Sequence, residues 1–230
     1  MRETAPTLRL CGIAGLVGAS LLLAADWALL GTFTSGSEFR ENWCALLSEM
    51  PRWRLLVGGL LGPVGAWFYV VGFWQLYLAL KPAGLPLAFA AFAGFSMSFV
   101  WVAGAFHTSF PFLADAWRVR EAATGDGTAG VREAAERMFA YAGWLYYAGL
   151  APSLVGAVLL AYAVLGKRTR YPRWFAALNP ALLYPLATLF QWLPAPLGGL
   201  LVIGAGNLVF LVYFAVSTAL LWNGGSEAGP

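Results

Sequence analysis

The sequence predicts an all-α membrane protein, a single bundle of six transmembrane helices with both termini in the cytoplasm. Three observations lead there. Of 230 residues, 60% are hydrophobic and 11% charged, against about 45–50% and about 25% in soluble domains. Six apolar segments approach the length of about 17–25 residues that a bilayer requires. None alternates with period two, so a membrane β-barrel does not fit. A water-soluble core of this size would still leave a large surface to cover, and this composition cannot cover one.

The first span, 10–31, follows MRETAPTLRL. Its apolar run exceeds the roughly 7–15 residues of a signal-peptide core, so it reads as a retained helix. Polar residues 32–54 come next, with a short interfacial helix expected between Ser37 and Met50. The second span is 55–80, closed by the turn Lys81-Pro82-Ala83-Gly84, and the third is 85–114. Residues 115–136 carry mixed charge around a flexible centre, Gly125-Asp126-Gly127. The fourth span is 137–165, and the fifth is WFAALNPALLYPLATLFQW, 174–192. After Leu193-Pro194-Ala195-Pro196 the sixth runs from 197 to 222 and completes the single domain, 1–222. Residues 223–230, NGGSEAGP, read as a disordered tail.

Small residues recur every four positions: Gly58, Gly62 and Ala66, Gly15 and Ala19, Gly94 and Ser98. This spacing lets helix backbones approach closely in lipid. Pro63, Pro152, Pro180 and Pro185 fall within spans, where they kink helices and free carbonyls that the protein must satisfy.

The net charge is +3 and the basic residues are scattered, which leaves no stripe for a phosphate backbone and excludes nucleic acid as a partner. Cys11 and Cys44 are separated by about 20 helical residues, roughly 30 Å in depth, too far for a disulfide. With the N-terminus inside, seven basic residues fall on each side. The positive-inside rule weights short flanking loops, and KRTRYPR, 167–173, is the densest basic cluster. That cluster places both termini inside.

Asp26, in LLLAADWALLG, comes about five residues before the first span ends. A charge at a helix centre costs about 2.5–3.5 kcal/mol on insertion scales, and less near an end. It is either an interfacial carboxylate reaching water beside Trp27 or an inward-facing acid in an outer-leaflet cavity. His107, the only histidine, stands in FVWVAGAFHTSF about seven residues before the third span ends. At 1.5 Å per residue both lie roughly 8–10 Å inside the outer boundary. A carboxylate beside an imidazole orients its tautomer and makes an acid–base pair. The alternative is a structural histidine bonded to a helix carbonyl or a tyrosine.

Arg54, Glu136 and Arg137 open spans at the same end and are candidate charge partners. Gln75, Asn179 and Asn207 lie deeper and read as interhelical hydrogen-bonding groups. Tyr69, Phe73 and Tyr77 form a stripe at i, i+4, i+8, and Tyr141 and Trp144 share a helical face with Arg137. Such rings either line a cavity for a greasy ligand, where their faces stabilise a cation, or are ordinary core packing.

No phosphate-cradling glycine loop, zinc spacing or nucleophile elbow occurs. One histidine without a paired acidic motif argues against a metal-dependent prenyl-transfer site, and no cofactor or metal is implied. No span carries the charge chain of a channel or voltage sensor, and no inverted transporter repeat is evident.

The stretch MPRWRLLVGGLLGPVGAWFYVVGFWQLYLALKPAG, 50–84, with ADWALLG before it and GAFHTSF after it, resembles an uncharacterised family of bacterial multi-pass membrane proteins. The resemblance covers roughly residues 20–115. Members similar to this chain carry an acid late in the first helix, a Gly/Pro-rich second helix entering an aromatic Gly-Phe-Trp-like stretch, and a histidine in the third. Here those positions are Asp26, Gly62, Pro63, Gly72, Phe73, Trp74 and His107. The resemblance implies a recurrent site and no reaction. Gln75 departs from it, standing where several relatives have a second histidine, which weakens a two-histidine metal site.

Two functions from different classes fit these residues. One is a metal-independent intramembrane enzyme of isomerase or cyclase type. Asp26 would be the general acid, His107 its partner, and aromatic rings would stabilise the cation formed on an isoprenoid or sterol-like substrate. The other is a non-catalytic binding or transport protein for a lipophilic small molecule; a structural membrane protein needs no site at all. The expected partners are the lipid bilayer and a lipophilic small molecule, and the expected location is the cell membrane.

Overall fold

The computed structural model describes residues 5–124 and 128–223. The expected flexible centre Gly125-Asp126-Gly127 and the tail from 224 onward lie outside the described residues. Eight α-helices run in order: α1 (Ala5–Leu30), α2 (Gly36–Glu49), α3 (Arg52–Leu80), α4 (Leu85–Phe99), α5 (His107–Ala122), α6 (Thr128–Gly166), α7 (Pro180–Ala187) and α8 (Leu197–Leu221). A π-helical stretch, Val100–Phe106, joins α4 to α5 as one long rod. Among the described residues, five helices are long and apolar enough to cross a membrane: Ala5–Leu30, Arg52–Ala83, Leu85–Ala122, Thr128–Gly166 and Leu197–Leu221.

The segment expected as the fifth span, 174–192, is not one helix. It is a 3-10 turn (Arg173–Leu178), then α7, then a second 3-10 turn (Thr188–Trp192). Asn179 and the prolines cause the break. Pro180 pushes Asn179 out of the helical region, to ψ 126°. The Asn179 side chain then caps α7, accepting from the Ala181 N–H at 2.9 Å. Pro185 removes a further helical donor. Asn179 Nδ2 also donates to the Ala157 carbonyl at 2.7 Å, tying the break to α6. Asn179→Ala removes the cap and orphans that carbonyl. It is expected to cost about 2 kcal/mol, read as a lower unfolding midpoint in detergent.

Backbone contacts set the connectivity. Arg9 Nε donates to the Trp222 carbonyl at 2.6 Å, so α1 begins where α8 ends. Arg170 N donates to Ala79 O at 3.0 Å, which puts the 167–172 loop at that same end. Gly36 N to Leu193 O and Gly199 N to Thr34 O, each 3.0 Å, close the opposite end. The broken segment therefore runs the length of the bundle, between the end of α6 and the start of α8. Gly84 turns α3 into α4 with φ 126°, a conformation that suits glycine.

Close approach does most of the packing. A Cβ on Gly72 would lie 2.5 Å from Gly15 Cα, and one on Gly94 would lie 2.6 Å from the Pro152 carbonyl. These glycines bring α3 onto α1 and α4 onto α6, the small-residue mode of helix association. Around them Tyr69, Phe73, Phe95, Phe210 and Phe214 form a buried aromatic core. Gln75 ties three helices, donating to Leu8 O at 2.9 Å and accepting from Ser217 Oγ at 2.8 Å. Ser35 caps α2 by accepting from Glu38 N. This helix, expected from residues 37–50, turns Phe39 and Leu47 inward against α5 and α8.

Candidate functional site

Near the end of the bundle covered by α2, polar groups from four helices meet. Asp26, in the last turns of α1, is 9% exposed, and His107, the first residue of α5, is 6% exposed. His107 Nε2 lies 3.4 Å from Asp26 Oδ1. Asn207 of α8 donates its Nδ2–H to Asp26 Oδ2 at 2.7 Å. Tyr69 of α3 donates its hydroxyl to Asn207 Oδ1 at 2.8 Å. Occupying Oδ1 fixes which way the amide points, so Asn207 must present its N–H to the carboxylate. His107 Nε2 therefore faces Asp26 Oδ1, the carboxyl oxygen that Asn207 leaves free, and the site sets one acid against one base.

The backbone around His107 explains its placement. The seven-residue π stretch ends at His107, whose N–H bonds to Val102 O in the wide i→i+5 pattern. Pro111 lies one turn on and cannot donate to the His107 carbonyl. Thr108 and Ser109 turn their hydroxyls back onto the Gly104, Ala105 and Phe106 carbonyls, satisfying groups that the widened turn frees. On α3, Gly62 leaves room for the ring: a Cβ there would lie 2.5 Å from His107 Cβ. The Gly58 backbone also lies beside the imidazole, but Nδ1 is buried without a hydrogen bond of normal geometry.

Asp26, His107 and Asn207 form one polar patch on a cavity of about 710 Å³. Its other walls are chiefly aromatic and aliphatic, including Phe99, Phe106, Phe110, Tyr146, Tyr184 and Phe210. Trp43 of α2 and Pro180, Tyr184 and Pro185 of the broken segment also line it. Non-helical backbone within a bundle is tolerated where it lines such a space. The Tyr146 and Tyr184 hydroxyls sit 3.0 Å apart across α6 and α7.

A family model matches residues 1–223. The chain belongs to DUF6796, a family of unknown function. No curated protein and no solved structure matches it. The DUF6796 match covers far more than the stretch, 20–115, that resembled an uncharacterised family, and it includes every residue of the polar patch.

The other residues singled out from the sequence lie elsewhere in this DUF6796 chain. Tyr69 is fully buried behind the cavity, holding Asn207, and Phe73 is fully buried in the aromatic core. Tyr77 packs on Trp74 with ring centres 4.5 Å apart, away from the cavity lining. Tyr141 and Trp144 face outward, 66% and 75% exposed. Their shared face with Arg137 is real, but α6 turns its Ala142, Gly149 and Gly156 side inward. Arg54 caps α1, donating to the Trp27, Ala28 and Gly31 carbonyls. Glu136 pairs with Arg120 at 3.2 Å and Arg137 with Glu133 at 2.8 Å, both on the surface. None of the three charge partners reaches Asp26; Asn207, read from the sequence as an interhelical hydrogen-bonding group, does.

Among the described residues no three His, Cys, Asp or Glu side chains come together. Both cysteines are free. Burial on α2 pushes the Cys44 thiol up to about 11, against a smaller opposing pull from Arg120. The nucleophile is the thiolate, so Cys44 should resist maleimide at pH 7 and 8, with its rate still rising tenfold per pH unit through pH 10. A rate that levels off near pH 9 would contradict this.

Proposed function

We propose that this protein is a membrane protein that binds a lipophilic small molecule, with the molecule's polar end against Asp26 and His107. The observation that carries the reading is one acid–base patch on the wall of an otherwise largely apolar cavity of about 710 Å³. Ligand sites of about 300–1,000 Å³ with apolar walls and a few convergent polar groups follow the same plan. In this reading the five long apolar helices and the broken segment would together make six crossings. The dense basic loop 167–173 lies at the end where α1 begins and α8 ends, which supports a cytoplasmic side there. Asp26 and His107 would then lie in the outer half of the cell membrane.

The test is native mass spectrometry of the full chain released from mild detergent, with solvent extraction of what it carries. Wild type should retain a stoichiometric lipophile. Leu150→Trp, which fills the cavity wall, should lose it at an unchanged unfolding midpoint. Wild type that neither retains nor takes up a saturable lipophile would refute the reading.

One observation favours a catalytic version, in which the same ligand is a substrate for isomerisation or cyclisation. Asp26 Oδ1 and His107 Nε2 stand 3.4 Å apart. Asn207 occupies Oδ2, so a proton would be transferred on the His107 side. A substrate double bond would take the proton there in a new C–H bond, the aromatic walls would face the resulting cation, and a neighbouring C–H proton lost back to the pair would restore the double bond and the site. Lipid extract incubated with wild type and with Asp26→Asn decides: equal product formation removes Asp26 as the acid.

A further inference from the structure

Given that lipophile reading, we infer that the ligand is an uncharged, singly oxygenated lipophile, an alcohol or ketone on an unsaturated hydrocarbon body, rather than an amine or an acid. The charge inventory of the cavity comes first. Among the described residues that line it, Asp26 and His107 are the only carboxylic and basic side chains, one acid against one base. An anionic ligand would meet the Asp26 carboxylate with no second cation to offset it. A cationic ligand would be drawn to the ring faces. Yet both Asp26 oxygens are already engaged, Oδ1 by His107 and Oδ2 by Asn207. An amine would have to break one of these contacts. In an apolar cavity either charge stays largely uncompensated, which is strongly unfavourable.

The hydrogen-bond inventory points the same way. Tyr146 and Tyr184 bring two hydroxyl protons and use one of them in their mutual bond. The other is a donor with no protein acceptor among the described residues. Both tyrosines line the same cavity as Asp26 and His107. A ligand hydroxyl or carbonyl oxygen can accept from this tyrosine pair without disturbing either Asp26 contact. The rest of the wall, with Phe95, Phe99, Phe106 and Phe210, offers little besides ring faces, which accommodate hydrocarbon and unsaturation.

Four probes on one skeleton test this: farnesane, farnesol, farnesylamine and farnesoic acid, titrated at pH 7.5 onto the full chain in detergent. Binding is read by native mass spectrometry and by quenching of tryptophan fluorescence. Farnesol should bind saturably, one per chain, about tenfold tighter than farnesane, the value of one net hydrogen bond. It should bind at least about a hundredfold tighter than the amine or the acid. Tyr146→Phe/Tyr184→Phe should abolish the advantage of farnesol over farnesane and leave farnesane binding unchanged. Tightest binding by the amine or the acid, or equal binding of farnesane and farnesol, would overturn the inference while keeping the lipophile reading. Saturable binding by none of the four would overturn both.

Discussion

His107→Leu should lower the unfolding free energy by about 1–3 kcal/mol, the cost of leaving a buried polar group without its partner. The carboxyl group it leaves behind is buried and retains one donor, Asn207. The double variant Asp26→Leu/His107→Leu should lose less than the two single variants together, because apolar side chains of similar volume suit the site, although Asn207 Nδ2 then has no acceptor. The check is a double-mutant cycle by denaturant unfolding in mixed micelles. Additive single effects would mean that the two side chains do not interact.

The second large effect concerns Gly62. A Cβ there would lie 2.4 Å from the Ala103 carbonyl and 2.5 Å from His107 Cβ. Both neighbours belong to the rigid rod of the π stretch and α5, so the helix itself must move. Gly62→Leu is expected to cost at least about 3 kcal/mol and to push His107 off Asp26, so that ligand binding falls with stability. Gly59 is the control on the same helix. Its Cβ would come no closer than 3.5 Å to anything, ordinary contact. Gly59→Ala should therefore be neutral or stabilise by up to about 1 kcal/mol through helix propensity. Equal damage from both substitutions would mean that α3 does not pack against His107 as described.

The periodic and compositional features were legible. Spans beginning near residues 55, 85 and 197 start within a few positions of α3, α4 and α8, because turns and charges punctuate long apolar runs. The meeting of Asp26 and His107 was legible only as matched depth. Helix rotation, set here by Gly58 and Gly62 on α3, has no one-dimensional signature. Asn207 was legible as an interhelical hydrogen-bonding group, but its meeting with Asp26 was not, for a related reason. Counting inward assumes that helix ends are level, but α8 starts beyond the end of α1, with Gly198 against the Gly36 backbone. Ten residues into α8 thus meets the last turns of α1. Tyr141 and Trp144 misled because in lipid the outward face is aromatic too, so amphipathicity does not separate inside from outside. Asn179, Pro180 and Pro185 did signal a break, yet a 19-residue apolar segment, 174–192, reads as a helix unless a capping asparagine before proline is given more weight than length.

The central claim is that the lipophile occupies the cavity at Asp26 and His107 rather than the outer surface. A photoactivatable diazirine analogue of farnesol, irradiated with the full chain in membranes and mapped by peptide mass spectrometry, tests it most directly. Adducts should fall on Phe99, Phe106 and Tyr184 and disappear with excess farnesol. Adducts confined to outward residues such as Leu60 and Trp144, or indifferent to competitor, would contradict the claim.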